Sequence, residues 1–239
     1  PVVDPSFGSK TMIPYKLAQI ITVSEEFTRD AANLWNAVQA QASEAIAQAI
    51  DKTFLAGTIP LPGADGVDTL ADAQTVSVKN GKYVDFVKIA TTVLDNNGDL
   101  NGIAITNKGL SKFLSAVDEN GRPLMVPGVG STELGSAFGA RMIKSPWGYK
   151  EAVAASGSGA SAVQAAPEVL GVAGDWTQAY YGTVQGIRIK MTDTATVKKG
   201  ATTINLWQRN MIAFLVETEV GFIVRDKSKF VVITGDNAA

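Results

Sequence analysis

Apolar residues recur three and four positions apart through Leu34, Val38, Ala42, Ala45, Ile46, Ala49, Ile50 and Phe54. That spacing predicts one apolar stripe on a long helix within residues 16–57. Thr22 and Glu25 have the spacing of a capping box near its start, and Gly57 followed by Pro60 and Pro62 supplies a stop. Beyond it, residues 75–78 read as a brief strand before an Asn80-Gly81 turn. Helical spacing returns through Val84, Val87, Ala90, Val93 and Leu94. The short apolar run 103–106 predicts a buried strand, and Asn107 opens a helix carrying Leu110, Phe113, Leu114 and Val117 on one face. Residues 118–123 form a turn. From 128 to 171 the chain is rich in Gly, Ser and Ala, which predicts a mobile loop, most flexible at 156–161. The remainder predicts strands over 180–192, 205–219 and 230–234. In the middle one, Trp207, Met211, Ala213 and Leu215 alternate with Ile212, Phe214 and Val216, so both faces are apolar and both should be covered.

Composition narrows the chemistry. The 239 residues are 46% hydrophobic and 18% charged, enough to bury a core in one large or two modest domains. No apolar run reaches the roughly 18 residues of a membrane span, and no signal-peptide core follows the N-terminus, which points to a soluble protein made in a cytoplasm. Lys and Arg number 21 against 23 Asp and Glu, and they are scattered, whereas tight nucleic-acid binding needs clustered cations. With neither Cys nor His in the chain, disulfides, thiol nucleophiles, Ser-His-Asp triads and Cys/His zinc sites are excluded.

The remaining motifs are weak. Asp95-x-Asn97-x-Asp99 copies the start of a calcium loop, but Leu100 stands where Gly is needed and Thr106 where the bidentate Glu belongs, so a turn is the better reading. Gly157-x-Gly159-x-x-Ala162 resembles a dinucleotide fingerprint without the preceding strand, and reads as a linker. Glu217 and Glu219 lie two apart on one strand face and could pair as carboxylates. An exposed or subunit-contacting acidic edge is the plainer account. Trp176 with Tyr180 and Tyr181 reads as a core anchor or subunit contact, because no basic residues are interleaved with them for base stacking.

Four stretches in order carry a resemblance. Residues 16–26 precede the long helix, which ends in Asp51-Lys52-Thr53-Phe54-Leu55-Ala56-Gly57. Ile105-Thr106-Asn107 leads through a helix to Asp118-Glu119-Asn120-Gly121-Arg122-Pro123-Leu124. Then come Gly174-Asp175-Trp176-Thr177-Gln178-Ala179-Tyr180 and the closing Val220 to Asp226 segment. Together they resemble the major capsid proteins of tailed phages of the Hong Kong 97 type. The resemblance implies an α+β fold: a peripheral domain of long spine helix plus long β-sheet at 16–80 and 192–217, and an axial domain, a central sheet flanked by helices, at 81–191 and 218–235. Residues 1–15 would be the returning half of an extended loop, the N-terminal arm and outgoing half preceding Pro1, and 236–239 a tail.

The same resemblance implies a non-enzymatic shell subunit without cofactor or metal. It would self-assemble into hexamers and pentamers enclosing double-stranded DNA without sequence-specific binding, in a virion built in the bacterial host cytoplasm. Scaffold, portal and decoration proteins are the further partners such shells use. Candidate structural and assembly residues are Leu34, Val38, Ile46, Ile50, Phe54, Arg122, Pro123, Asp175, Trp176, Tyr180, Glu217 and Glu219. Two other functions compete: an encapsulin-like compartment loading a protein cargo, and a hydrolase working through Glu217 and Glu219.

Overall fold

The computed structural model describes residues 10–26, 31–57, 68–118, 120–123, 136–156, 162–200 and 202–237, with the side chains of 31–35 and 199 outside that description. In chain order the elements are β1 (Pro14–Ser24), α1 (Ala31–Ile50), a π-helical turn (Asp51–Leu55), β2 (Gln74–Ser77), α2 (Tyr83–Asp95), β3 (Gly102–Ile105) and α3 (Asn107–Leu114). There follow β4 (Ser136–Ala137), β5 (Ala140–Lys144), β6 (Val169–Gly174), β7 (Ala179–Thr192), β8 (Thr196–Lys199), β9 (Thr202–Asn205), β10 (Met211–Val224) and β11 (Phe230–Thr234). Two compact units result, one from residues 13–50 and 181–221, the other from the rest. Among the described residues, no helix is long and apolar enough to cross a membrane.

In the first unit β10 is the central strand of a three-stranded sheet ordered β1-β10-β7. β1 runs antiparallel to β10, from Pro14 opposite Gly221 to Ser24 opposite Met211. The stripe on α1 packs on this sheet: Val38 against Ile212 and Phe214, then Ala42 and Ile46 against Val216, with Ile21, Ile50 and Ile189 filling in. β8 and β9 form a separate antiparallel hairpin.

Residues 16–24 correct the helical expectation. Thr22 sits in β1 opposite Ala213, so it caps nothing, and α1 begins at Ala31. Leu17, Ile20 and Ile21 mimic helical spacing, but the β-branched run Ile20-Ile21-Thr22-Val23 favours a strand once β10 is there to pair with it. β10 likewise starts at Met211, not 205. Trp207–Arg209 form a 3₁₀ turn, Asn210 adopts a left-handed φ of 52°, and Trp207 is largely exposed.

The second unit is built on a six-stranded mixed sheet ordered β2-β11-β6-β3-β5-β4. β11 pairs parallel with β2 and antiparallel with β6, while β3 pairs antiparallel with β6 and parallel with β5. Phe86, Ile89 and Val93 of α2 and Phe113 of α3 join Ile103, Ile105, Leu170, Val231 and Ile233 in one core. The Phe86 and Phe113 rings meet at 4.4 Å. Thr106 caps α3: its hydroxyl accepts from the Gly109 N–H at 3.1 Å and donates to the Leu170 carbonyl at 2.7 Å. Gly109 has no room for a side chain, because a Cβ would run into that same Leu170 carbonyl.

Within 128–171, expected as a loop, 136–144 form β4 and β5, joined by Phe138 and Gly139 with φ of 54° and 79°. The strand is ordered by parallel pairing with β3, a partner remote in sequence. Residues 157–161, with both glycines of the Gly157-x-Gly159-x-x-Ala162 motif, lie outside the described residues, and so does Leu124.

Candidate functional site

The candidate residues occupy separate places in the fold instead of converging on one cleft. Val38, Ile46 and Ile50 lie along α1 against the sheet. Leu34 belongs to the same helix, but its side chain is outside the described residues. Phe54 is buried in the π-helical turn, closed by the Ala56 N–H donating to the Asp51 carbonyl at 3.2 Å, and its ring lies 4.9 Å from Phe222. Burial pushes the Asp51 carboxyl up, opposed by the Ser145 hydroxyl donating to it at 2.6 Å.

Arg122 and Pro123 are exposed members of a tight turn. Asp118 organises it, its Oδ1 accepting from the backbone N–H of Asn120 and of Arg122, each at 2.8 Å. Gly121 takes the left-handed φ of 76° that the turn requires. Arg122 contributes its backbone here.

Asp175 is buried and opens a second turn. Burial tends to raise its carboxyl, but bonds from the Thr177 hydroxyl at 2.6 Å, the Thr177 N–H and the Asn101 amide outweigh this and hold it below its ordinary value. Trp176 donates from its indole to the Gly102 carbonyl at 2.9 Å and meets Phe230 edge-on at 5.6 Å. A Cβ on Gly102 would fall 2.6 Å from that indole ring. Tyr180, the second residue of β7, is exposed. Asp226 repeats the device, accepting from Ser228 N–H and hydroxyl. The two turns bind each other: Asp175 N–H donates to the Lys229 carbonyl at 3.1 Å and Arg225 N–H to the Gln178 carbonyl at 2.8 Å. The shared pattern Asp-x-[Ser/Thr] is a signal readable in the sequence for both turns.

Glu217 is buried in the middle of β10, which removes the exposed form of the acidic edge expected at 217 and 219, while Glu219 is half-buried. Lys190 of β7 places its Nζ 2.8 Å from Oε1 and Lys16 of β1 places its Nζ 3.2 Å from Oε2. The carboxylate therefore ties all three strands together. Lys190 first, then Lys16, hold Glu217 below its ordinary value of 4.5. Both lysines escaped sequence reasoning, because which strands flank β10, and in what register, is not a local property.

A group held below its unfolded pKa binds protons less readily in the fold, so its stabilisation is complete above about pH 4.5 and is lost as pH falls through the folded value. Denaturant titrations between about pH 2 and pH 7 should show Glu217→Gln less stable than the parent at neutral pH and less sensitive to acid. Parallel curves for the two proteins would remove Glu217 from the acid response. Asp68, Asp175 and Asp226, also held low, leave the variant a residual slope.

Among the described residues no three His, Cys, Asp or Glu side chains are grouped to hold a metal ion. Asp95-Asn96-Asn97-Gly98 closes α2, with Gly98 N–H donating to the Val93 carbonyl at 3.0 Å and Asn97 left-handed. What the candidates share is packing and turn formation spread over two units.

The family model described as the phage capsid family matches residues 2–235. The chain belongs to the phage capsid family. This capsid subunit is 30% identical to the probable major capsid protein gp17 of Mycobacterium phage L5, over all of the chain and 74% of that relative. It is 26% identical to the corresponding gp17 of Mycobacterium phage D29, covering 98% of the chain and 73% of the relative. Its fold is that of a solved Gordonia phage Cozz chain, with a TM-score of 0.69, 21% identity and coverage of 97% and 73% of the two chains. A solved capsid of an empty GTA particle shares the fold at a TM-score of 0.59 and 14% identity, over 95% and 74%. The α+β, Hong Kong 97-like expectation therefore holds, and the subunit is a structural component of a phage shell, its relatives being phage capsids and not encapsulins.

Proposed function

We propose that this subunit closes an icosahedral phage head as hexamers and pentamers around double-stranded DNA, assembling in the bacterial cytoplasm with scaffold, portal and decoration proteins as further partners. The match of the family model over residues 2–235 carries the reading. In it, the unit of α1 and the three-stranded sheet is the peripheral domain, and the unit of the six-stranded sheet is the axial domain. Stability of such a shell is distributed: a contact of modest strength is multiplied by symmetry, while its individual weakness lets misplaced subunits leave. The near-balance of charge supports enclosure of DNA without tight binding.

Light scattering and electron microscopy of the intact gene product, at rising concentration and salt, test this. Closed shells, or hexamers and pentamers, are expected. A monomer under every condition would count decisively against it.

A further inference from the structure

An asparagine loses its amide most readily when glycine follows, because the missing Cβ leaves the glycine nitrogen unhindered and its backbone free to turn. The chain holds four such pairs: Asn80-Gly81, Asn97-Gly98, Asn101-Gly102 and Asn120-Gly121. In each, the glycine nitrogen has to reach the asparagine Cγ, which needs an unpinned side chain and a mobile peptide. The fold treats the four pairs differently.

Asn101 is pinned through both atoms of its amide. Its Nδ2 donates to Asp175 Oδ1 at 3.0 Å, and its Oδ1 accepts from the Trp176 N–H at 3.0 Å. Gly102 after it is buried in β3. Asn97 is left-handed, and the buried Gly98 that follows donates to the Val93 carbonyl at 3.0 Å. Asn120 lies in the Asp118 turn. Its own N–H and that of Arg122 donate to Asp118 Oδ1 at 2.8 Å, and the Gly121 N–H donates to the Asp118 carbonyl at 3.1 Å. The Asp118 carboxylate also opposes the negative charge that gathers on an attacking nitrogen.

Asn80 has neither kind of restraint. It is exposed in the turn between β2 and α2, and among the described residues no hydrogen bond engages its side chain. Gly81 donates one bond, to the Val78 carbonyl at 3.1 Å, and nothing lies within 4 Å of where its Cβ would stand. Gly121 has the same open space, so the clamp from Asp118 is what separates the two turns. Lys79 and Lys82, both exposed, flank the pair, and their ammonium groups favour a nitrogen that gives up its proton.

We propose that Asn80 is a site of spontaneous covalent modification, converting to aspartate and isoaspartate while the fold keeps the other three Asn-Gly pairs intact. The Gly81 nitrogen gives its proton to solvent base and bonds to Asn80 Cγ. The Cγ–Nδ2 bond breaks, and the departing nitrogen takes up a proton and leaves as ammonia, which closes a cyclic succinimide. Water then opens the ring. Attack at Cγ breaks the new bond and leaves aspartate, whereas attack at the Asn80 backbone carbonyl breaks the original peptide bond and leaves isoaspartate, with the side-chain methylene now in the main chain. Either product sets a carboxylate between two lysines, and the second lengthens the turn that joins β2 to α2. The reaction needs no partner and no shell.

Peptide mapping by mass spectrometry, with detection of isoaspartate, tests this on the folded protein aged in mildly alkaline buffer and on the same protein aged in denaturant. In the folded protein Asn80 should convert about tenfold or more faster than Asn97, Asn101 and Asn120, which react only after local opening. In denaturant the four rates should draw together. Asp118→Ala, which releases the clamp, should raise the Asn120 rate about tenfold. Equal rates at the four sites of the folded protein, or an Asn120 that converts faster than Asn80, overturn the assignment. The same tenfold lead for Asn80 in denaturant, or an Asn120 rate unmoved by Asp118→Ala, overturns the protection by the fold.

Discussion

Phe230→Ala should lower the unfolding free energy by about 3–5 kcal/mol, the range for deleting a buried aromatic ring. Phe230 opens β11, is fully buried, and meets Trp176 edge-on at 5.6 Å. The site cannot collapse around alanine, because the residue beneath the ring is Gly174. A Cβ there would lie 2.6 Å from the Phe230 ring and 2.5 Å from the Lys229 carbonyl, so Gly174 has no side chain to move into the space. Truncation also strips a wall from Trp176, whose indole hydrogen bond to Gly102 ties the turn before β7 to β3. Urea unfolding followed by tryptophan fluorescence measures the loss. Phe230→Leu, which keeps most of the volume, should cost about 1.5 kcal/mol. Equal effects for the two variants would show that the cavity is not what matters.

Gly171→Ala should be the second most damaging change, at about 3 kcal/mol, although it adds a single methyl group. Gly171 sits in β6 between β3 and β11, opposite Ile105 on one side and Ile233 on the other. Its Cβ would come within 2.5 Å of the Ala104 carbonyl oxygen and 3.2 Å of the Ile105 Cα. These are backbone atoms of a strand held on its far side by β5, so relief requires parting the sheet rather than rotating a side chain. A thermal melt decides the matter. An unchanged midpoint would mean that β6 and β3 separate more easily than their pairing implies. Alanine at Gly81, where nothing lies within 4 Å, serves as a control for conformational strain at φ 63° without collision.

The two glycines and the phenylalanine also mark where sequence reading reaches and where it stops. The 230–234 strand, α2, and the 103–106 strand feeding a helix at Asn107 were legible because a short apolar run or a 3.6-residue period is a local property. The turn at Asp118 was legible for the same reason: one aspartate binds two backbone N–H groups within four residues, and Gly121 supplies the left-handed φ. Residues 16–24 were misread because Leu17, Ile20 and Ile21 satisfy helical spacing as well as a strand does. Only the eleven-residue register with β10 decides between them. Residues 140–144 were misread as loop because their order comes from β3, about 40 residues earlier in the chain. In sequence Glu217 reads as part of an exposed or subunit-contacting acidic edge, since a glutamate in a strand usually faces water. Lys16 and Lys190 arrive from 201 and 27 residues away to pair it.

By itself, then, the chain's order of residues determined the local elements, the exclusion of Cys and His chemistry, and the ordered motifs that pointed to a capsid subunit. Helical periods, turn residues and functional-group inventories depend on neighbours along the chain. The tertiary structure alone decided the strand identity of 14–24, the burial and double ion pairing of Glu217, and the intolerance of Gly171. Each of these is set by which remote strand lies alongside, and strand pairing is a contact between backbones that carries no fixed spacing in sequence.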